Sequence, residues 1–167
     1  MMSGRRLATM VTLIGIASGT MQTAWAQSAN TNVRATVLQA IAVTPIQDLT
    51  FGNVFPGVSK TIPSQSGSGG RFQATGQPNA NVSLTLTLPA NLVSGANLLP
   101  VGTWTGRHNT VTTGAGSAPT FDPLTGVSTT FSATGFRYVF LGGTVTPAAN
   151  QAAGFYSAVA TLTVAYF

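Results

Sequence analysis

Between Tyr156 and Tyr166 the character of the side chain changes at every step. Tyr156, Ala158, Ala160, Leu162, Val164 and Tyr166 fall on one side, and Ser157, Val159, Thr161, Thr163 and Ala165 on the other. A period of two is the pattern of a β-strand with one buried face. Asn81 to Leu88 shows it still more cleanly, with Val82, Leu84, Leu86 and Leu88 against Ser83, Thr85 and Thr87. No stretch sustains a helical period, and 19 Gly and 9 Pro are spread along the chain as turn punctuation. The chain is therefore restricted to an all-β architecture.

Further strands are expected over Val33 to Thr44, closed by Pro45, and over a short segment carrying Leu49 and Phe51 inward before the Pro56-Gly57 turn. Others are expected at Arg71 to Thr75, Thr129 to Ala133 and Phe136 to Val145, with Gly142-Gly143 marking a bulge or bend. Residues 89–127 are rich in Gly, Pro, Asn and Thr and read mainly as loops, with short strands near Val101–Thr105 and Thr110–Thr113. The last strand is expected to run from 155 to 166. Seven to nine short strands with frequent turns predict an immunoglobulin-like antiparallel β-sandwich.

Residues 1–26 read as a signal peptide. Arg5 and Arg6 supply the basic start, Leu7 to Ala17 a short apolar core, and Ala24-Trp25-Ala26 a cleavage site. Removing them leaves 141 residues, 27–167, which suits one domain. No segment of that part is apolar enough to span a membrane as a helix. The chain is expected to be exported through an inner membrane to the periplasm, the cell surface or a fimbria, or the extracellular space. It contains no cysteine, so thiol chemistry and disulfides are excluded.

Charged residues are only 5 % of the chain. Beyond residue 26 there are Arg34, Lys60, Arg71, Arg107 and Arg137 against Asp48 and Asp122, a net +3. These cations are scattered singly, whereas nucleic-acid binding needs them clustered. A surface so poor in charge does not defend its strand edges.

The same scarcity argues against an enzyme. Asp48 and Asp122 read as turn or strand-start residues, and a glycosidase would need two carboxylates flanking one bond. His108, beside Arg107, reads as a residue of a polar loop, and no Gly-x-Ser-x-Gly elbow is present. One His and two Asp are too few for an ordinary metal site. No cofactor is expected. Trp104 could form a sugar-stacking platform with Arg107 and His108, although a lone aromatic more often packs as an anchor.

Three segments carry a resemblance: Ile41 to Val54 (Ile-Ala-Val-Thr-Pro-Ile-Gln-Asp-Leu-Thr-Phe-Gly-Asn-Val), Phe72 to Leu86, and Leu141 to Val145 followed by Asn150 to Phe167. Together they resemble a bacterial secreted family with a pilin-like sandwich, domain of unknown function 4402, which is similar to chaperone–usher fimbrial subunits and spore-coat-type domains. Gly154, fourteenth from the end, and the penultimate Tyr166 sit where chaperone–usher pilins carry a glycine and a tyrosine.

The resemblance implies a non-catalytic secreted or cell-surface structural protein. Gly154, Tyr156, Leu162, Val164 and Tyr166 would then belong to an assembly or chaperone-recognition strand. The implied partners are a periplasmic chaperone or other copies of the chain. Many pilins carry a disulfide, which this chain lacks, and a long N-terminal extension. Here only residues 27–32 precede the expected first strand, unless Val33 to Leu38 belongs to the extension. Two alternatives are a self-complete sandwich that binds a surface glycan through Trp104, and a small outer-membrane β-barrel. The face of Phe167, with Ala165, Thr163, Thr161 and Val159, is too polar for a lipid band.

Overall fold

The computed structural model describes residues 27–113 and 115–167, with the side chain of Ala115 also outside the description; the expected signal peptide lies outside the described residues. Among these, ten strands form two antiparallel sheets, with one short 3-10 turn at Ala115–Ser117. The strands are β1 Ala42–Gln47, β2 Lys60–Ile62, β3 Gly70–Thr75, β4 Asn81–Thr87 and β5 Asn91–Ser94. They continue with β6 Asn97–Asn109, β7 Thr120–Phe121, β8 Val127–Thr130, β9 Phe136–Val145 and β10 Thr161–Tyr166. The larger sheet has the order β1-β3-β9-β6-β5, with β2 on β9 and β7 on β6; the smaller has the order β10-β4-β8.

The alternating faces explain why the two sheets stack. Ala74 and Val139 of the larger sheet bury against Val82, Leu84, Leu86 and Leu162 of the smaller, with Phe131 closing one end. This is the antiparallel sandwich that the period of two demands. Neither sheet closes on itself, and β1, β5, β8 and β10 end their sheets. A membrane barrel has no such edges. A second core, Leu99, Val101 and Val145, lies farther along β6 and β9. It is covered by Phe51, Val54, Leu92, Trp104 and Tyr156, three of them from segments outside regular strands.

Several expectations need correction. The first strand begins at Ala42 rather than Val33 and runs through Pro45. Pro45 is tolerated because β1 pairs only with β3, and an edge strand can spare one N–H. The pairing shifts register between Pro45 and Gln47. Residues 27–40 carry no strand and every one is exposed.

The supposed loop region 89–127 contains β6, at 13 residues the longest strand. Its Gly and Thr residues hid the alternation, and a bulge between Gly102 and Thr105 shifts its phase. The irregularity expected at Gly142-Gly143 lies in this ladder, with the extra residue on β6 opposite Gly143. Leu49 and Phe51 belong to an irregular segment rather than a strand, and Phe51 packs on the second core.

Candidate functional site

β10 pairs with β4 along its whole length, Thr161 with Thr87 through Tyr166 with Val82. Leu162, Val164 and Tyr166 therefore share a face with Leu86, Leu84 and Val82 and point into the core. On its other side β10 pairs with no strand among the described residues. Alternate N–H and C=O groups of an antiparallel strand point to each flank, so half of the β10 backbone faces a free edge.

Tyr166 ties this edge to the other sheet. Its hydroxyl donates to the Gln39 carbonyl at 2.6 Å and accepts from the Gln77 N–H at 2.7 Å. The Gln39 N–H in turn donates to Gln77 Oε1 at 3.3 Å. The Tyr166 ring meets Phe131 edge-on, centroids 6.2 Å apart at 68°. Gly76 lies beneath both, and a Cβ there would fall 2.5 Å from the Phe131 ring and 2.6 Å from the Tyr166 hydroxyl. Gln39, three residues before β1, is thus tied to the last strand.

The expected assembly strand is not one strand. Gly154 and Tyr156 belong to the end of the larger sheet. Ser157 makes a single antiparallel bridge to Val93, its N–H donating to the Val93 carbonyl at 3.1 Å and its carbonyl accepting from the Val93 N–H at 2.9 Å. Tyr156 packs on the second core while its hydroxyl donates to the Ala152 carbonyl and accepts from Gln151 Nε2. A Cβ on Gly154 would fall 2.7 Å from Ser94 Oγ. The chain then crosses to the smaller sheet and joins β4 only at Thr161. Regular pairing therefore covers 161–166 and not 155–166. Alternation cannot reveal such a crossing, because both partners demand the same period.

Trp104 sits on β6 at the bulge, not in a loop. Thr103 before it adopts φ 46°, a left-handed conformation that costs energy for a β-branched residue. The indole lies against Gly143, where a Cβ would fall 2.9 Å from the ring, and packs on the second core. It also lines a cleft of about 340 Å³ with Thr61, Ser64, Arg107 and Phe121. Arg107 is held there by the carbonyls of Gly116 and Ala118, at 2.8 and 2.9 Å.

His108 is also on β6, buried and inward, rather than in a polar loop. Burial and the nearby Arg137 charge hold its imidazole below the usual histidine range. Asp122 is the turn residue its sequence suggests: its Oδ1 accepts the Leu124 N–H at 2.9 Å and its carbonyl the Gly126 N–H at 3.0 Å. Asp48 is exposed just after β1. Among the described residues no three His, Asp or Glu side chains gather as a metal site would need. No helix among them is long and apolar enough to cross a membrane. No family model matches the chain, and no curated protein matches it.

Proposed function

We propose that this chain is a non-catalytic, pilin-like structural subunit of a bacterial surface that assembles by β-strand addition. The observation that carries the reading is the coexistence of a free strand edge and an unpaired strand-like segment in one chain. β10 has an open flank over Thr161–Tyr166. Residues 27–40 are exposed and outside both sheets, yet Val33, Ala35 and Val37 keep the period of a strand. Val33 and Val37 are 92 % and 93 % exposed, an arrangement that water disfavours and a partner groove would relieve.

Reach is sufficient. A strand rises about 3.3 Å per residue, so the twelve residues before Gln39 extend roughly 40 Å, against roughly 20 Å for β10. Backbone hydrogen bonds would supply affinity, and the side chains of alternate arm residues the register. A periplasmic chaperone would cover the same edge before assembly. The exported location follows from the amino-terminal pattern.

Val37→Asp places a charge in the buried row of the proposed junction. It is expected to abolish polymers while leaving the monomer folded, read by size-exclusion chromatography and circular dichroism. Undiminished polymer from that variant would contradict the reading. A second reading, a glycan-binding sandwich, draws on the cleft beside Trp104; it predicts loss of glycan-array binding in Trp104→Ala.

A further inference from the structure

We propose that Arg137 and His108 form an anion site within one end of the sandwich, which takes a carboxylate or a small inorganic oxyanion from outside the chain. The two side chains come from neighbouring strands. His108 on β6 stands opposite Val139 on β9, and Arg137 is two residues before Val139, so all three share the inward face. Val139 belongs to the core. Arg137 is 7 % exposed and His108 9 %.

Each side chain carries one buried nitrogen without a partner. Arg137 Nε and His108 Nδ1 are sealed from solvent without a hydrogen-bond partner, and no ion pair to Arg137 exists among the described residues. A buried guanidinium without an acceptor is costly, and a carboxylate or oxyanion is the group its fork fits best.

The surrounding elements offer no counter-charge. In the facing sheet β4, β8 and β10 contain no Asp, Glu, Lys, Arg or His, and their one titratable side chain, Tyr166, is engaged with Gln39 and Gln77. On the inward face of the larger sheet, Ala74 stands opposite Arg137, and Phe121 lies 5.9 Å from the His108 ring, centroid to centroid. Arg71 and Arg107 both pair with Phe140, on the opposite face. Asp122 is taken up by its turn and Asp48 is exposed beyond β1. An acid to meet these nitrogens would come from another molecule.

The chain has a single histidine, so its imidazole carbon–proton signal needs no assignment. The test titrates the mature protein with inorganic phosphate and, separately, with acetate, in sodium chloride of constant ionic strength. The expected result is a saturable shift of the His108 signal and an upward movement of its pKa, because an adjacent anion favours the protonated ring. Saturation by phosphate alone assigns an inorganic oxyanion, and saturation by acetate assigns a carboxylate.

Arg137→Met is expected to abolish the saturable response. Should that variant not fold, Arg137→Lys, which keeps the charge and loses the fork, is expected to weaken saturation at least about tenfold. The proposal is overturned if neither probe saturates with the wild-type protein. It is equally overturned if the response survives unchanged in the folded Arg137 variant, which would make it a general salt effect.

Discussion

Tyr166 holds three parts of the molecule at one point: the last strand, the turn after β3 and the chain that leads into β1. Tyr166→Phe keeps the ring against Phe131 but leaves the Gln77 N–H and the Gln39 carbonyl without their partner. The expected loss is about 1–3 kcal/mol, measurable by urea unfolding. Tyr166→Ser also removes the ring and is expected to cost about 3–5 kcal/mol, enough for degradation in the periplasm. Normal export and assembly of Tyr166→Ser would show that the residue is dispensable.

His108 gives a pH signature. Its folded pKa lies below the ordinary value near 6.5, so the unfolded chain binds the proton more readily. This contribution to stability is therefore present above about pH 6.5 and declines as the pH falls towards the folded pKa. His108→Gln is expected to flatten the melting temperature between pH 7 and 5. An equal slope in that variant would place the titration elsewhere.

Among the elements, β4 and β3 are legible from sequence to within a residue or two because apolar residues alternate with polar ones, and β9 because a run of aromatic and aliphatic residues buried on both faces is bounded by turns. β6 is not. Gly102, Thr103 and Thr105 carry little hydrophobic signal, and the bulge breaks the phase between Val101 and Gly106. The sequence pattern sets β1 too early because Val33, Ala35 and Val37 have a strand's composition without a strand's partner; a segment patterned for pairing is left unpaired.

Of the five residues expected in one terminal strand, Leu162, Val164 and Tyr166 share the β10 face, whereas Gly154 and Tyr156 support the larger sheet. The division predicts different outcomes. Leu162→Ala should destabilise by about 2–5 kcal/mol through a cavity between the sheets. Removing residues 27–38 should leave the melting temperature of the monomer within a few degrees, because none of them is buried. A large drop on that deletion would mean that the segment completes its own domain.

At the scale of the whole molecule, β9 joins the two cores, with Val139 in the first and Val145 in the second. The two cores are therefore expected to unfold in one transition by calorimetry. What stays outside this cooperative unit is the exposed arm, and what stays unpaired within it is the edge of β10. With charges at only 5 % of the chain, little electrostatic repulsion opposes contact between copies.

The most direct test is a denaturing gel of the purified mature protein and of sheared surface material, each run unboiled and boiled and blotted for this chain. Strand exchange between subunits predicts a ladder in the unboiled lanes that collapses to one band on boiling and is absent without residues 27–38. A single monomer band in every lane would contradict assembly by strand addition and leave a self-contained sandwich.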